Sequence, residues 1–226
     1  MESIKENTVK AENQVKKDEN VFYLGNENAP FRVAVLGNSI TRHGPCAEIG
    51  WSGLYGMAAS CEEKDYVHLL AARLKRDGVD CRLMVNQISE WERTFARFDL
   101  SKLDAIREFS ADAILFRCGE NVAAAEDKNV FRECLQEMIA YIDPNRSPVV
   151  FTTCFWKYPA LDECIRSVAA AYGAEAVELG DLGDDPAMKA VGLFEHSGVA
   201  AHPGDAGMQA IADRIYPVLR SCLRAK

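Results

Sequence analysis

Short apolar stretches rich in β-branched residues recur along the chain, and turn-forming residues bound them. They are RVAVL at 32–36, CRLMV at 81–85, AILFRC at 113–118 and VVFTTC at 149–154, with a weaker stretch at 176–179. Continuous apolar runs of this length are typical of strands that are buried on both faces. The pattern therefore predicts a five-stranded sheet in the core.

The segments between these stretches space their apolar residues three or four positions apart, as amphipathic helices do. They cover 66–76, 103–109, 130–142, 161–172 and 207–224. Strands that alternate with helices predict an α/β protein, a three-layer α/β/α sandwich around a central, mainly parallel sheet. Functional residues of such sheets lie at the carboxyl ends of the strands, so we expect the site there.

The first 28 residues differ in composition from the rest. They are rich in Lys, Glu and Asn and contain little that could be buried. We expect 1–28 to form a flexible N-terminal arm. No repeat or linker divides the remainder, which predicts one domain over 29–226.

The charge balance and the cysteine positions limit which partners and which metal sites are expected. The 226 residues include 34 acidic and 26 basic ones, a formal net charge of −8. This balance disfavours nucleic acid and anionic membrane as partners and favours a neutral substrate. None of the eight cysteines occurs in a C-x-x-C pair, which disfavours zinc. Cys118 and Cys154 lie in apolar runs and are expected to be small buried hydrophobes, as suits a reducing compartment.

The N-terminus is charged and lacks an apolar h-region, and no stretch reaches 18 uninterrupted apolar residues. We therefore expect no signal peptide and no membrane span in this sequence, and a cytoplasmic location.

The turn after the first predicted strand, GNSIT at 37–41, carries a serine. With a nearby base, the Ser39 hydroxyl could act as a nucleophile, and backbone N–H groups of the turn could face the resulting oxyanion. The alternative is that Ser39 caps the following helix.

Two further polar residues are candidates because each lies in a loop next to a predicted strand or helix. Asn121 lies just past a glycine in RCGEN, where its amide could donate to an oxyanion, or could be a solvated turn residue. His202 precedes the last predicted helix, where it could act as a general base or be an exposed loop histidine.

Together, GNSIT, RCGEN and AHPGDAGMQAIADRI resemble three sequence blocks of the SGNH (GDSL-type) hydrolase family in order and spacing, over about residues 31 to 224. The resemblance implies the flavodoxin-like fold of that family. It also implies Ser39 as nucleophile, His202 as base, and Asn121 with the Ser39 N–H as oxyanion donors, without a metal or an organic cofactor. IGW at 49–51, GMAAS at 56–60 and DYVH at 65–68 are similar to bacterial members linked to carbohydrate metabolism.

Two positions depart from the family pattern. Val199 stands where the family usually has an aspartate three residues before the histidine. A backbone carbonyl or Glu195 would then orient His202, since Asp205 is more simply interpreted as a helix N-cap. The glycine usual after the second strand is also missing from 86–92, so the N–H of Ser89 or Glu90 is the expected substitute oxyanion donor.

Several side chains on the loops above the predicted sheet are candidates for substrate binding. An aromatic ring in the long glycine-rich loop at 49–60 could lie flat against a sugar, or could pack beneath the loop. The candidates are Asn38, Arg42, Trp51, Trp91, Glu120 and His196.

We therefore expect a serine esterase that removes a short acyl group, such as acetyl, from a carbohydrate. Its partner would be a small-molecule or oligosaccharide ester, and the oligomeric state stays open. Two alternatives remain: a lipase or thioesterase, and a non-catalytic carbohydrate-binding descendant of the fold.

Overall fold

The computed structural model describes residues 20–223, and these form a five-stranded sheet covered by helices on both faces. The strands are β1 (Val21–Gly25), β2 (Phe31–Gly37), β3 (Cys81–Gln87), β4 (Ala113–Arg117) and β5 (Val149–Phe151). Their spatial order is β1-β3-β2-β4-β5, with β1 antiparallel to β3 and the other pairs parallel. The predicted fold class is confirmed.

Seven α-helices are present in the described part of the chain. They are α1 (Tyr66–Arg76), α2 (Ser89–Thr94), α3 (Asp104–Phe109), α4 (Lys128–Ile142), α5 (Pro159–Ala171), α6 (Ser197–Ala200) and α7 (Asp205–Cys222). The five predicted helices correspond to α1, α3, α4, α5 and α7. The short helices α2 and α6 were not predicted, and both lie at the edge of the sheet where the candidate site lies.

Successive side chains of β2 enter two different cores because side chains alternate across a sheet. Val33 and Val35 pack on one face with residues of α1 and α7. Ala34 and Leu36 pack on the other face with residues of α2 to α5. Burial on both faces explains why β2 has no alternation of apolar and polar residues in the sequence.

The boundary predicted for the N-terminal arm is wrong. Residues 21–25 form β1, which pairs with β3 from Val21 opposite Asn86 to Gly25 opposite Arg82. β1 is therefore the fifth strand of the sheet. The stretch that was predicted to be the fifth strand, 176–179, makes only a single bridge, between Val177 and Thr152. The rest of the predicted arm, residues 1–19, lies outside the described residues.

The cysteine prediction is confirmed at the two positions named for it. Cys118 and Cys154 are each 1% exposed and belong to the same apolar core. Within residues 20–223, no helix is both long enough and apolar enough to cross a bilayer.

Candidate active site

The turn that follows β2 holds Ser39 at the carboxyl edge of the sheet. The Thr41 N–H donates to the Asn38 carbonyl at 2.9 Å, and the Ile40 N–H donates to the Asn38 side-chain oxygen at 3.2 Å. A Cβ at Gly37 would lie 1.7 Å from the Thr41 Oγ1, so only glycine fits there. The turn is thus tight for a steric reason, and it presents Ser39 outward.

Ser39 is the only residue between Val33 and Gly44 that is not buried. Its Oγ lies 2.9 Å from the Nε2 of His202. Its backbone N–H donates no hydrogen bond to any residue in 20–223. A hydroxyl beside a ring nitrogen, with an unused N–H on the same residue, is the arrangement that acyl transfer requires.

The ring of His202 is held by the main chain of α6. Its Nδ1 lies 2.7 Å from the Gly198 carbonyl oxygen. A carbonyl can only accept, so Nδ1 carries the ring proton and Nε2 presents its lone pair to the Ser39 hydroxyl. Burial lowers the pKa of His202 to about 4, although the bond to Gly198 acts in the opposite direction. The ring is therefore neutral near pH 7, as a general base must be.

The position where the family usually carries an aspartate is part of an apolar cluster. Val199 is 1% exposed and packs in a small core with Ile49 and Met57. An unpaired carboxylate would be costly in that environment. Glu195 is exposed, and Asp205 accepts hydrogen bonds from Ser60 instead. The Gly198 carbonyl is therefore the group that orients His202.

Trp156 borders the site and was not among the predicted residues. It follows β5, and its ring meets the ring of His202 edge-on, with centroids 5.1 Å apart. A tryptophan just past the carboxyl end of a buried strand was a signal that sequence reasoning could have used.

A buried ion pair lies beneath the nucleophile turn. Arg117, the last residue of β4, is fully buried and pairs with the carboxylate of Glu120, which is 6% exposed. The Asn38 side chain joins them: it accepts from the Arg117 Nη1 at 2.8 Å and donates to the Glu120 Oε2 at 2.6 Å. The network thus ties the end of β4 to the residue before Ser39.

A second buried carboxylate extends this network. Glu92 of α2 accepts from the Gly119 N–H at 2.5 Å, from the Asn38 amide at 3.0 Å and from the Asn121 amide at 2.7 Å. Burial, together with the neighbouring Glu120 carboxylate, raises the pKa of Glu92. Neither Glu92 nor Arg117 was predicted as a site residue, although an arginine that ends a buried strand implies a buried partner.

The Asn121 amide is held from both sides by α2. Its Nδ2 donates to Glu92, and its Oδ1 accepts from the Arg93 Nη2 at 2.6 Å. An amide nitrogen carries two protons, so one Nδ2 proton remains for a further acceptor. This geometry is compatible with the predicted role of Asn121 as an oxyanion donor, which stays a prediction.

The aromatic candidates for substrate binding are corrected by the structure. Trp51 is 4% exposed, and its Nε1 donates to the His43 carbonyl at 3.0 Å. Trp91 is fully buried against Phe116 and Phe131. Both rings are core elements, and neither presents a face to a ligand.

The polar candidates are also engaged within the protein. Arg42 is buried with its guanidinium over the Phe22 ring, and Asn38 and Glu120 are bound in the ion-pair network. These three side chains are therefore held by contacts within the protein, and their predicted contact with substrate stays a prediction. His196 is partly exposed, and its Nδ1 accepts from the Val199 N–H at 3.3 Å, which caps α6.

The substitute oxyanion donor predicted after the second strand is wrong for Ser89. This residue is fully buried, and its N–H donates to the Gln87 side-chain oxygen at 3.1 Å. The N–H is therefore already used in a buried hydrogen bond.

Comparisons with known proteins identify solved structures that share the fold of this chain. No protein-family model and no curated protein sequence matches the chain. An alpha/beta hydrolase enzyme, LAE5, from the metagenome of Lake Arreo, Spain, is 20% identical with a TM-score of 0.55, over 86% of this chain and 97% of that one. A protein of the lipolytic G-D-S-L family from Desulfitobacterium hafniense DCB-2 is 16% identical with a TM-score of 0.50, over 83% and 98%.

A family two carbohydrate esterase from Clostridium thermocellum, solved as an active-site mutant, is 14% identical with a TM-score of 0.55. The match covers 87% of this chain and 65% of that one. The chain thus has the fold of the SGNH (GDSL-type) hydrolases, as its three sequence blocks predict.

Proposed function

We propose that the protein is a serine carboxylic ester hydrolase in which Ser39 is the nucleophile and His202 the general base. The observation that carries this proposal is the chain of contacts from the Gly198 carbonyl through His202 to the Ser39 Oγ, at 2.7 and 2.9 Å. It fixes the tautomer of the imidazole and aims its lone pair at the hydroxyl.

The reaction proceeds in two steps. The Ser39 Oγ attacks the ester carbonyl while Nε2 of His202 takes the hydroxyl proton, and the proton then passes to the departing alcohol. A water molecule, deprotonated by His202, attacks the acyl-enzyme, and His202 then returns the proton to the Ser39 Oγ as the acid leaves. The Ser39 N–H and the second Nδ2 proton of Asn121 donate to the oxyanion in both steps.

The substrate that we propose is a short acyl ester, such as an acetyl ester, on a carbohydrate. Trp156 beside His202 offers an aromatic ring near the place where the leaving alcohol would lie. Carbohydrate esterases are also among the solved structures of the same fold.

The proposal is tested by measuring hydrolysis of nitrophenyl esters of increasing acyl length together with acetylated oligosaccharides. We expect the highest kcat/KM at two carbons and release of acetate from the sugar esters. An optimum at eight carbons or more would favour a lipase or thioesterase instead. A fluorophosphonate probe should modify Ser39, and a folded protein that neither reacts nor hydrolyses would support a non-catalytic binding role.

The low pKa of His202 predicts an unusual pH profile. Because neutral His202 is the active form, kcat/KM should stay level as the pH falls through 6.5 and decline only near pH 4, where the ring becomes protonated. An apparent pKa near 6.5 for kcat/KM would show that burial does not act on this residue.

The control for that experiment is to measure whether the protein stays folded at each pH. Burial also lowers the pKa of His43 to about 4, so the folded state resists protonation at both rings. The unfolded chain then binds more protons between pH 6.5 and about 4, and stability decreases as the pH falls through this range. Circular dichroism at each pH separates loss of fold from titration of the base.

A further inference from the structure

Two consecutive residues of α2 form hydrogen bonds with the two ends of the Asn121 side-chain amide. The carboxylate of Glu92 accepts from the Asn121 Nδ2 at 2.7 Å, and the guanidinium of Arg93 donates to the Asn121 Oδ1 at 2.6 Å. Glu92 is fully buried, and Arg93 is partly buried. The two contacts involve every polar atom of the Asn121 amide.

The chemistry of the two groups allows a single orientation of that amide. A carboxylate only accepts hydrogen bonds, and a guanidinium only donates them. If the Asn121 amide turned by half a revolution, its oxygen would face the carboxylate and its NH₂ would face the guanidinium. Both contacts would become repulsive in a partly buried region, where such repulsion is stronger than in bulk water.

We propose that Glu92 and Arg93 are positioning residues, which lock the Asn121 amide so that its second Nδ2 proton faces the oxyanion. This inference rests on the proposed function, in which Asn121 is an oxyanion donor. A flipped amide would place its oxygen toward the developing negative charge and would oppose the reaction.

The same carboxylate also connects Asn121 to the nucleophile. Glu92 accepts from the Gly119 N–H and from the side chain of Asn38, the residue before Ser39. The nucleophile turn and the loop after β4 are therefore both hydrogen-bonded to the Glu92 carboxylate of α2. Such a link keeps the distance between a nucleophile and its oxyanion donor constant while substrates enter and leave.

Arg93 is the better residue for a test, because Glu92 holds several buried groups and its replacement can disturb the fold. In Arg93→Met we expect kcat for an ester substrate to fall by about tenfold to a hundredfold with KM little changed. Arg93→Lys, which keeps a cationic donor, should recover part of the loss. Arg97→Met, at an exposed position just beyond the same helix, is the matched control and should leave kcat unchanged.

A double-mutant cycle then separates positioning from a general structural effect. If Arg93 acts through Asn121, adding Arg93→Met to Asn121→Ala should change kcat/KM by less than about twofold. An equal loss in both backgrounds would overturn the proposal, since Arg93 would then act on something else.

A second readout does not depend on catalysis. The side-chain amide signals of Asn121 in a ¹H–¹⁵N spectrum, assigned by their loss in Asn121→Ala, should shift in Arg93→Met and in Glu92→Gln but not in Arg97→Met. Unchanged signals in the first two variants would overturn the positioning role. If the intact protein hydrolyses no ester, the proposed function fails, and these signals alone decide whether the amide is locked.

Discussion

Ser39→Ala is expected to lower kcat/KM for ester hydrolysis by at least about 10⁴-fold, because it removes the atom that we propose forms the acyl-enzyme. Within residues 20–223, the hydrogen bond of the Ser39 Oγ is to the Nε2 of His202, and Ser39 is partly exposed. Its loss should therefore shift Tm by no more than about 2 °C. Initial rates on nitrophenyl acetate and a thermal melt measure the two quantities.

The matched control for this variant is Ser221→Ala. Ser221 lies near the end of α7, and its hydroxyl donates to the Val218 carbonyl. Full activity is expected there. His202→Ala should match Ser39→Ala, and the double variant should lose little more, because the two residues act as a unit. Residual turnover in Ser39→Ala close to that of the intact protein would end the case for a serine nucleophile.

Arg117→Met is expected to lower the free energy of unfolding by about 3–5 kcal/mol, the usual cost of leaving a buried charge without its partner. The variant removes the cation that pairs with the Glu120 carboxylate and donates to the Asn38 side-chain oxygen within the buried network. Urea denaturation at pH 7, followed by circular dichroism, measures the change.

Arg166→Met is the comparison for this stability measurement. Arg166 forms ion pairs with Glu163 and Glu178 on the surface, where such pairs contribute about 1 kcal/mol or less. A loss in Arg117→Met no greater than that in Arg166→Met would mean that the buried pair adds nothing to stability. Combining Arg117→Met with Glu120→Gln should recover part of the loss, because the Glu120 carboxylate that Arg117 had paired with is then no longer charged.

Most of the sheet could be predicted from the sequence because its central strands are buried on both faces and give uninterrupted apolar runs. β1 was missed for the opposite reason. It is an edge strand with Tyr23 and Gly25 exposed, and it directly follows a polar, charged segment. When composition is averaged over the whole predicted arm, its many charged residues conceal the five apolar or small residues of β1 that complete the sheet.

The candidate catalytic residues could be located because each lies directly after a strand or before a helix, so local order places it. Substrate contacts depend on how loops fold back, which the local sequence does not encode. Trp51 illustrates this limit, since a tryptophan in a glycine-rich loop suits a ligand face and a loop core equally well. The partners of Arg117 come from the turn after β2 and from the loop after β4, so only the tertiary structure reveals them.

The two ends of the described chain leave the sheet on opposite sides, which matters for attaching the protein to a surface. Val21 pairs with Asn86 at the carboxyl edge of the sheet, the edge where Ser39 lies. The 18-residue helix α7 starts beside His202 and runs away from it for about 27 Å. An immobilisation tether fused after α7 would leave the serine facing the solution, whereas one fused ahead of β1 would join the protein beside it.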